Sequence, residues 1–343
     1  MIEYPPWAWA GFVLFIAALL AVDLGVFNRR AHAAGVGEAA AWCVAWFALA
    51  MLFNAFVFAR HGAQAGAQWF ASYVLELSLS VDNVFVFIMI FTYFMVRPEN
   101  QHRVLFWGVV GAAVMRAVFI LAGIQLIEHF DWVLMIFGAF LILTGGKLAL
   151  TGSKFASSGR KFALSGGRFA LIGGALARLS GEPEVRPEKN LVVRGFMKFF
   201  PVAMHYEGAR FFTRENGRRA ATRLFVVLLV IETTDLVFAL DSIPAVLGIT
   251  KEPFIAFTSN VFAILGLRSL YFVLRGMMGK FRFLKSGIAV ILLFIGTKMI
   301  VDSWTDEDML SIGVSLGVIG GVLATSVAAS LVFPKERLGR REK

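Results

Sequence analysis

Apolar runs long enough to cross a bilayer recur along the whole chain, at residues 8–27, 40–59, 69–95, 104–126, 132–151, 222–247, 254–274, 284–302 and 309–333. An α-helix rises about 1.5 Å per residue, so about 20 mostly apolar residues cover the ~30 Å hydrocarbon core. The pattern predicts an all-α polytopic membrane protein with nine transmembrane helices. A cleaved signal peptide starts with a basic stretch. Here Glu3 and no Lys or Arg precede the first run, which is therefore expected to be the first spanning helix.

The polar gaps carry the orientation signal. The odd-numbered gaps hold two (Arg29, Arg30), two (Arg97, Arg103), thirteen (residues 152–221) and four (Arg275, Lys280, Arg282, Lys285) basic residues. The even-numbered gaps hold one (Arg60), none, one (Lys251) and none, and the C-terminus is basic again. Basic residues concentrate on the cytoplasmic side of short loops, which predicts an outside N-terminus and a cytoplasmic C-terminus. Composition agrees: 58% of residues are hydrophobic and 16% charged, which excludes an ordinary soluble domain. The net charge of +10 is dispersed among the gaps rather than gathered on one face, so a nucleic-acid partner is not expected and the partner surface is the lipid bilayer. One cysteine, Cys43, allows no intrachain disulfide and no paired thiolate site.

An internal repeat organises the middle of the chain. Placing Asp82-Asn83 on Asp241-Ser242 brings Glu76 onto Asp235, because six residues separate each pair. Arg116 then falls in the fourth span and Arg268 in the seventh, and Gly145-Gly146-Lys147 matches Gly296-Thr297-Lys298. Three spans per unit put the two units in the membrane in opposite senses, the inverted arrangement of many transporters. The expected divisions are residues 1–68 (two N-terminal helices), 69–151 and 222–303 (the two three-helix repeats), 152–221 (a cytoplasmic loop) and 304–343 (a last helix and basic tail). Within the loop, Lys154-Phe155-Ala156, Lys161-Phe162-Ala163 and Arg168-Phe169-Ala170 recur every seven residues, readable as an amphipathic surface helix or a disordered linker. Residues 191–219 are expected to hold a short helix or hairpin.

The chemistry lies in the spans. A carboxylate at the centre of a spanning helix costs about 2.5–3.5 kcal/mol on insertion scales. Glu76, Asp82, Glu232, Asp235 and Asp241 must therefore face a bundle interior with cations, protons or arginines beside them. Ser72, Glu76, Ser80 and Asn83 share one helical face, and Glu232, Asp235, Ala239 and Ser242 share another. Asp82 and Asp241 lie roughly 120° off these stripes in an ideal helix, and Pro244 offers a distortion that would free the Leu240 carbonyl. Oxygen donors alone favour Mn²⁺, Mg²⁺ or Ca²⁺ over Zn²⁺ or Cu²⁺. The candidate metal residues are Glu76, Asp82, Asn83, Glu232, Asp235, Asp241 and Ser242, with Arg116 and Arg268 as charge-pairing partners; pairing with these arginines is also the competing, purely structural reading. Arg268, near a span end, is expected to snorkel, Lys147 and Lys298 to anchor at the interface, and the five histidines (His32, His61, His102, His129, His205) to be solvated in gaps.

LELSLSVDNVFVF, HRVLFWGVVGAAVMR, ETTDLVFALDSIPAV and FTSNVFAILGLRSLYF resemble the TerC/Alx family of bacterial integral membrane proteins, over about residues 69–150 and 191–302. The resemblance implies a nine-span inner-membrane protein linked to manganese efflux, metal homeostasis and, historically, tellurite resistance, with Glu76, Asp82, Asp235 and Asp241 as its intramembrane acids. Residues 152–190 depart from the shorter connection usual there. The expected function is export of a divalent cation, foremost Mn²⁺ with Ca²⁺ or Mg²⁺ as alternatives, by alternating access with protons as counter-ion. The rival is a membrane scaffold or assembly factor acting through the cytoplasmic loop. An enzyme is not expected, because the spans contain no Ser/His pair, HExxH or GxGD arrangement.

Overall fold

A computed structural model describes residues 5–27, 36–130, 132–154, 191–203, 206–215, 217–276, 283–305 and 310–332. The helices are α1 (Pro6–Phe27), α2 (Val36–Tyr93), α3 (Pro98–His129), α4 (Trp132–Lys154), α5 (Leu191–Phe199), α6 (Arg223–Leu247), α7 (Pro253–Gly276), α8 (Leu284–Thr305) and α9 (Ile312–Val332). Three short strands, β1 (Val202–Ala203), β2 (Phe212–Glu215) and β3 (Arg218–Thr222), lie between α5 and α6.

The apolar runs at 40–59 and 69–95 are one 58-residue element, α2, interrupted at Gly62 (φ 88°, ψ 177°). That φ is open to glycine and strained for other residues, so Gly62 lets the chain re-enter the membrane without a loop. With α2 counted as two arms, the described residues hold nine helical segments on the nine apolar runs. By length and composition six helices among the described residues could cross a membrane, α2 counted once. The 25-residue α6 has the length too, but carries Glu232, Asp235 and Asp241. Large apolar side chains such as Leu14, Leu52, Val114, Ile136, Leu143, Val237 and Val314 stay exposed, as lipid-facing positions require.

Packing reveals the internal symmetry. Trp69 Nε1 donates to Thr258 Oγ1 at 2.9 Å and Phe91 meets Tyr271 at a ring separation of 5.4 Å, so the second arm of α2 runs parallel to α7. Gly108 packs on Ile231 and Gly123 on Leu247, so α3 runs parallel to α6. Between these pairs, α4 and α8 cross with their backbones in contact. A Cβ on Gly138 would lie 2.8 Å from the Gly296 carbonyl oxygen and 2.7 Å from Ile300; one on Gly296 would lie 2.7 Å from the Gly138 carbonyl oxygen and 3.0 Å from Ile142. Such reciprocity is what a two-fold axis produces. Gly145 packs on Ala289 and Leu293 along the same antiparallel crossing. Glycine-rich contacts matter in lipid because helices there associate through close packing rather than hydrophobic driving force.

At one end of the bundle, α5 and the sheet form a cap, with strand order β1-β3-β2, β1 parallel and β2 antiparallel to β3. The segment expected to give a helix or a hairpin gives a helix and three strands, a small departure from an all-α chain. Asn100 Nδ2 donates to the Gly208 carbonyl at 3.0 Å and Tyr206 Oη to the Phe94 carbonyl at 2.7 Å, which ties the cap to the α2–α3 turn. Residues 155–190, with most of the basic-Phe-Ala repeat, lie outside the described residues.

Candidate ion site

The second arm of α2 buries its polar stripe completely: Ser72, Glu76 and Ser80 are at 0% exposure and Asn83 at 2%. The facing helix α6 buries Asp235 and Ser242, while Glu232 and Asp241 are half-buried. Between them stands Arg116 of α3, at 1% exposure. Its Nη1 forms an ion pair with Glu76 Oε1 and donates to Ser242 Oγ at 3.2 Å, and its Nη2 donates to Asp235 Oδ1 at 3.4 Å. The polar stripes of α2 and α6 thus meet on one guanidinium supplied by α3.

The other acids spread around this centre. Glu232 presses its carboxylate against α3 at Gly111, where a Cβ would meet Oε1 and force the glutamate side chain to shift. Asp241, off the stripe as helical geometry demands, accepts a hydrogen bond from Thr144 Oγ1 of α4 at 3.2 Å and feels the field of Lys147. The α6 helix continues through Pro244. The side chain of Asp82 lies outside the described residues. Arg268 is buried at 6% exposure on α7, which packs against both α2 and α3, so its head group is enclosed by protein rather than held in water. Lys147 and Lys298 are both half-buried, and Lys298 is salt-bridged to Asp302. Among the histidines, His61 and His102 sit inside helices, His102 stacked on Phe272 at 4.2 Å; His129 is exposed at the end of α3. His32 and His205 lie outside the described residues.

Several buried oxygens lack hydrogen-bond donors: Ser72 Oγ, Ser80 Oγ, Glu76 Oε2, Glu232 Oε2 and Asp235 Oδ2. An unsatisfied buried polar group costs about 1–3 kcal/mol and more when charged, so five together leave acceptor capacity that water or an ion could fill. Among the described residues, however, no three Asp, Glu, His or Cys side chains are grouped ready to hold a metal ion. Arg116 stands between the carboxylates of Glu76 on α2 and Asp235 on α6 and pairs with both. A cation entering here must displace the guanidinium or share the carboxylates with it.

Asn260 of α7 escaped the sequence reading. It is fully buried, and neither its amide nitrogen nor its amide oxygen has a partner. One turn before it, Ala256 joins the apolar cluster that includes Ile120 of α3; one turn after it, Ile264 packs on Val109 and Ala112. The stripe Ala256–Asn260–Ile264 therefore faces the stripe Ala112–Arg116–Ile120, with Asn260 at the level of Arg116. The available signal was an asparagine in the middle of an otherwise apolar span.

The family model described as the integral membrane protein TerC family matches residues 61–338. Over 327 residues the chain is 42% identical to the uncharacterized membrane protein STKORF319 of Myxococcus xanthus, covering 95% of this chain and 92% of that one. It is also 42% identical over 327 residues to Alx of Escherichia coli (strain K12), provisionally described as a membrane-bound redox modulator, covering 93% of this chain and 92% of the relative. An uncharacterized membrane protein of Rickettsia bellii is 33% identical over 325 residues, 95% of this chain and 97% of that one. No solved structure matches.

Proposed function

Because the chain belongs to the integral membrane protein TerC family, we propose that it is a transporter that exports a divalent cation, foremost Mn²⁺, through the carboxylates between α2, α3 and α6. The observation that carries this reading is the set of buried carboxylate oxygens without hydrogen-bond donors around a single shared guanidinium. Five acids (Glu76, Asp82, Glu232, Asp235, Asp241) in the third and sixth spans stand against two intramembrane arginines, Arg116 and Arg268, so net negative charge remains to attract a cation. The donor set is oxygen throughout, which suits a hard ion such as Mn²⁺, Mg²⁺ or Ca²⁺.

The guanidinium gives alternating access a physical handle. With no cation bound, Arg116 neutralises Glu76 and Asp235 and holds α2 against α6. A divalent ion competes for the same carboxylates, so its arrival loosens that clasp and its departure restores it. The reciprocal α4–α8 contact supplies a pivot between the two three-helix units. Protons are the natural counter-ion, because grouped carboxylates titrate as a set. In this reading the N-terminus faces outward, the cap and C-terminus lie in the cytoplasm of a bacterial inner membrane, and the protein performs no covalent chemistry. The redox role in the description of the Escherichia coli relative cannot rest on an intrachain disulfide here, since Cys43 is the one cysteine in the chain.

The test is flux into proteoliposomes with Mn²⁺, Ca²⁺, Mg²⁺ and Zn²⁺ under imposed pH gradients. Glu76→Gln, Asp235→Asn, Asp82→Asn and Asp241→Asn are each expected to lower Mn²⁺ flux a hundredfold or more. Parent-like flux in these variants removes the site from the transport path, and a parent protein that moves none of the four ions removes the function.

A further inference from the structure

At the end of the bundle away from the cap, a cavity of about 350 Å³ opens between the start of α2's second arm, the end of α6, α8 and α9. Gln64, Gln68, Ile295, Lys298, Ser311 and Ile319 are among its lining residues. From there a polar track runs down α2 at four-residue spacing: Gln64, Gln68, Ser72, Glu76. Gln64 is exposed and Gln68 half-buried, whereas Ser72 is fully buried with no partner for its hydroxyl. Thr250 Oγ1 donates to Gln68 Oε1 at 3.3 Å, which holds the second amide in the cavity wall. Lys298 faces the same space, but its ammonium is tied to Asp302 of its own helix, so the mouth carries a balanced pair rather than a free positive charge.

We infer that this cavity is the vestibule through which the carboxylate site communicates with water on the face opposite the cap, with Gln64, Gln68 and Ser72 as its ladder of neutral oxygens for a hydrated divalent cation. The inference rests on the transport reading and adds to it a route and a gate. The gate is apolar. Leu75, beside Glu76 in sequence and at 1% exposure, belongs to the same packed cluster as Ile295 and Ile319, which line the cavity. In the proposed route these three side chains serve as the floor between the vestibule and Glu76, Leu75 lying in the α2 turn that separates Ser72 from Glu76. An apolar constriction about one helical turn thick excludes water when packed and passes it when its members part. Neutral amides and hydroxyls suit the path beyond such a gate, because they replace part of the hydration shell without trapping the ion.

Thiol labelling tests the route without assuming which ion is carried. In a Cys43→Ser background, Gln68→Cys, Ser72→Cys, Leu310→Cys at the cavity rim and Leu143→Cys on the lipid-facing surface are treated with a membrane-impermeant cationic methanethiosulfonate reagent. Gln68→Cys is expected to react from the face opposite the cap, as Leu310→Cys does, while Leu143→Cys stays unmodified, and the bulky adduct at position 68 is expected to lower Mn²⁺ flux at least tenfold. Ser72→Cys is expected to react at least tenfold faster when combined with Leu75→Ala. The route is overturned if Gln68→Cys is inert while Leu310→Cys reacts, or if it reacts and flux is unchanged. The gate is overturned if Leu75→Ala leaves the Ser72→Cys rate as it was. A parent protein that carries no divalent ion defeats the transport reading alone, because the labelling pattern is read separately.

Discussion

Two buried amides, Gln101 of α3 at the cap end and Asn260 of α7 in the bundle centre, are treated in opposite ways, although Glu207 Oε2 at the cap also lacks a hydrogen-bond donor. At the cap end, Gln101 is fully used: Nε2 donates to the Val96 carbonyl at 2.9 Å, and Oε1 accepts from Tyr271 Oη at 2.9 Å and Arg275 Nη1 at 2.7 Å. In the bundle centre Asn260, an amide of the same chemistry and deeper burial, has no partner on either atom. The contrast extends to the cations. Arg103 and Arg223 at the cap lie 5.2–5.7 Å from the rings of Phe211, Phe94 and Tyr206, while Arg116 is shared between two carboxylates and a serine. Polar groups that only hold a fold together are satisfied inside the protein, since any shortfall costs stability directly. Groups left short in a sealed interior are consistent with waiting for a partner that comes and goes.

The largest effect expected from this contrast is at Arg116. Arg116→Met leaves Glu76 and Asp235 buried without a counter-charge, and breaking a buried pair in this way costs about 3–5 kcal/mol. Unfolding in detergent should register that loss, and millimolar Mn²⁺ should recover part of it, because a cation that binds only the folded state stabilises it by mass action. Arg275→Met at the cap removes one bond from an exposed guanidinium, should cost about 1 kcal/mol, and should not respond to Mn²⁺. Equal Mn²⁺ responses in the two variants erase the distinction between the regions.

A smaller and sharper comparison pits the two amides against each other. Gln101→Ala deprives three partners at once, the buried Val96 carbonyl and Tyr271 hydroxyl and the exposed Arg275, and is expected to lower stability by about 1–3 kcal/mol with ion flux per folded molecule unchanged. Asn260→Ala removes an amide that gains nothing from its surroundings, so stability should hold or rise slightly. If Asn260 helps to hold the ion beside Arg116, the Mn²⁺ concentration giving half-maximal flux should rise about tenfold. Stability measured beside concentration-dependent flux separates the cases: an Asn260→Ala that unfolds like Gln101→Ala makes Asn260 a structural amide.

The sequence made one of these regions far more legible than the other. Acids inside 20-residue apolar runs are visible without a structure because their insertion cost is local, and the shared face of Ser72, Glu76 and Ser80 follows from 3.6-residue periodicity alone. The nine segments were readable for the same reason. Which cation would sit among the acids was open, because Arg116 lies on a helix whose rotation about its axis is set by packing: Gly108 on Ile231 and Gly123 on Leu247 turn α3 so that Arg116 faces inward. Glu232 against Gly111 and Gly138 against Gly296 depend on backbone approach between distant segments, and in sequence those glycines look like any others in an apolar run. The cap was half-legible, since a two-residue strand such as β1 exists only through its pairing of Val202 with Ala221 and Ala203 with Thr222. Asn260 was visible as a polar residue in a span, but its lack of partners is a property of three dimensions.

The smallest expected effect concerns Tyr206, where the cap is joined to α2. Its hydroxyl donates to the Phe94 carbonyl at 2.7 Å, and the Arg223 guanidinium lies 5.4 Å from its ring and 5.7 Å from that of Phe94. Burial pushes the phenol above its ordinary value of 10.0, and the nearby Arg223 charge offsets part of that rise. A group whose pKa is raised on folding contributes stability that is whole below the unfolded pKa and fades as pH climbs through the folded one. The latch should therefore hold across the neutral range and weaken only above about pH 10, where the phenolate can no longer donate. Tyr206→Phe removes the bond at every pH at a cost of about 1 kcal/mol. The parent and the variant should then differ in unfolding temperature at pH 8 and converge toward strongly alkaline pH. Since the latch belongs to the satisfied region, Mn²⁺ affinity should be the same in both; an affinity that moved with Tyr206 would mean that cap and ion site are coupled through α2.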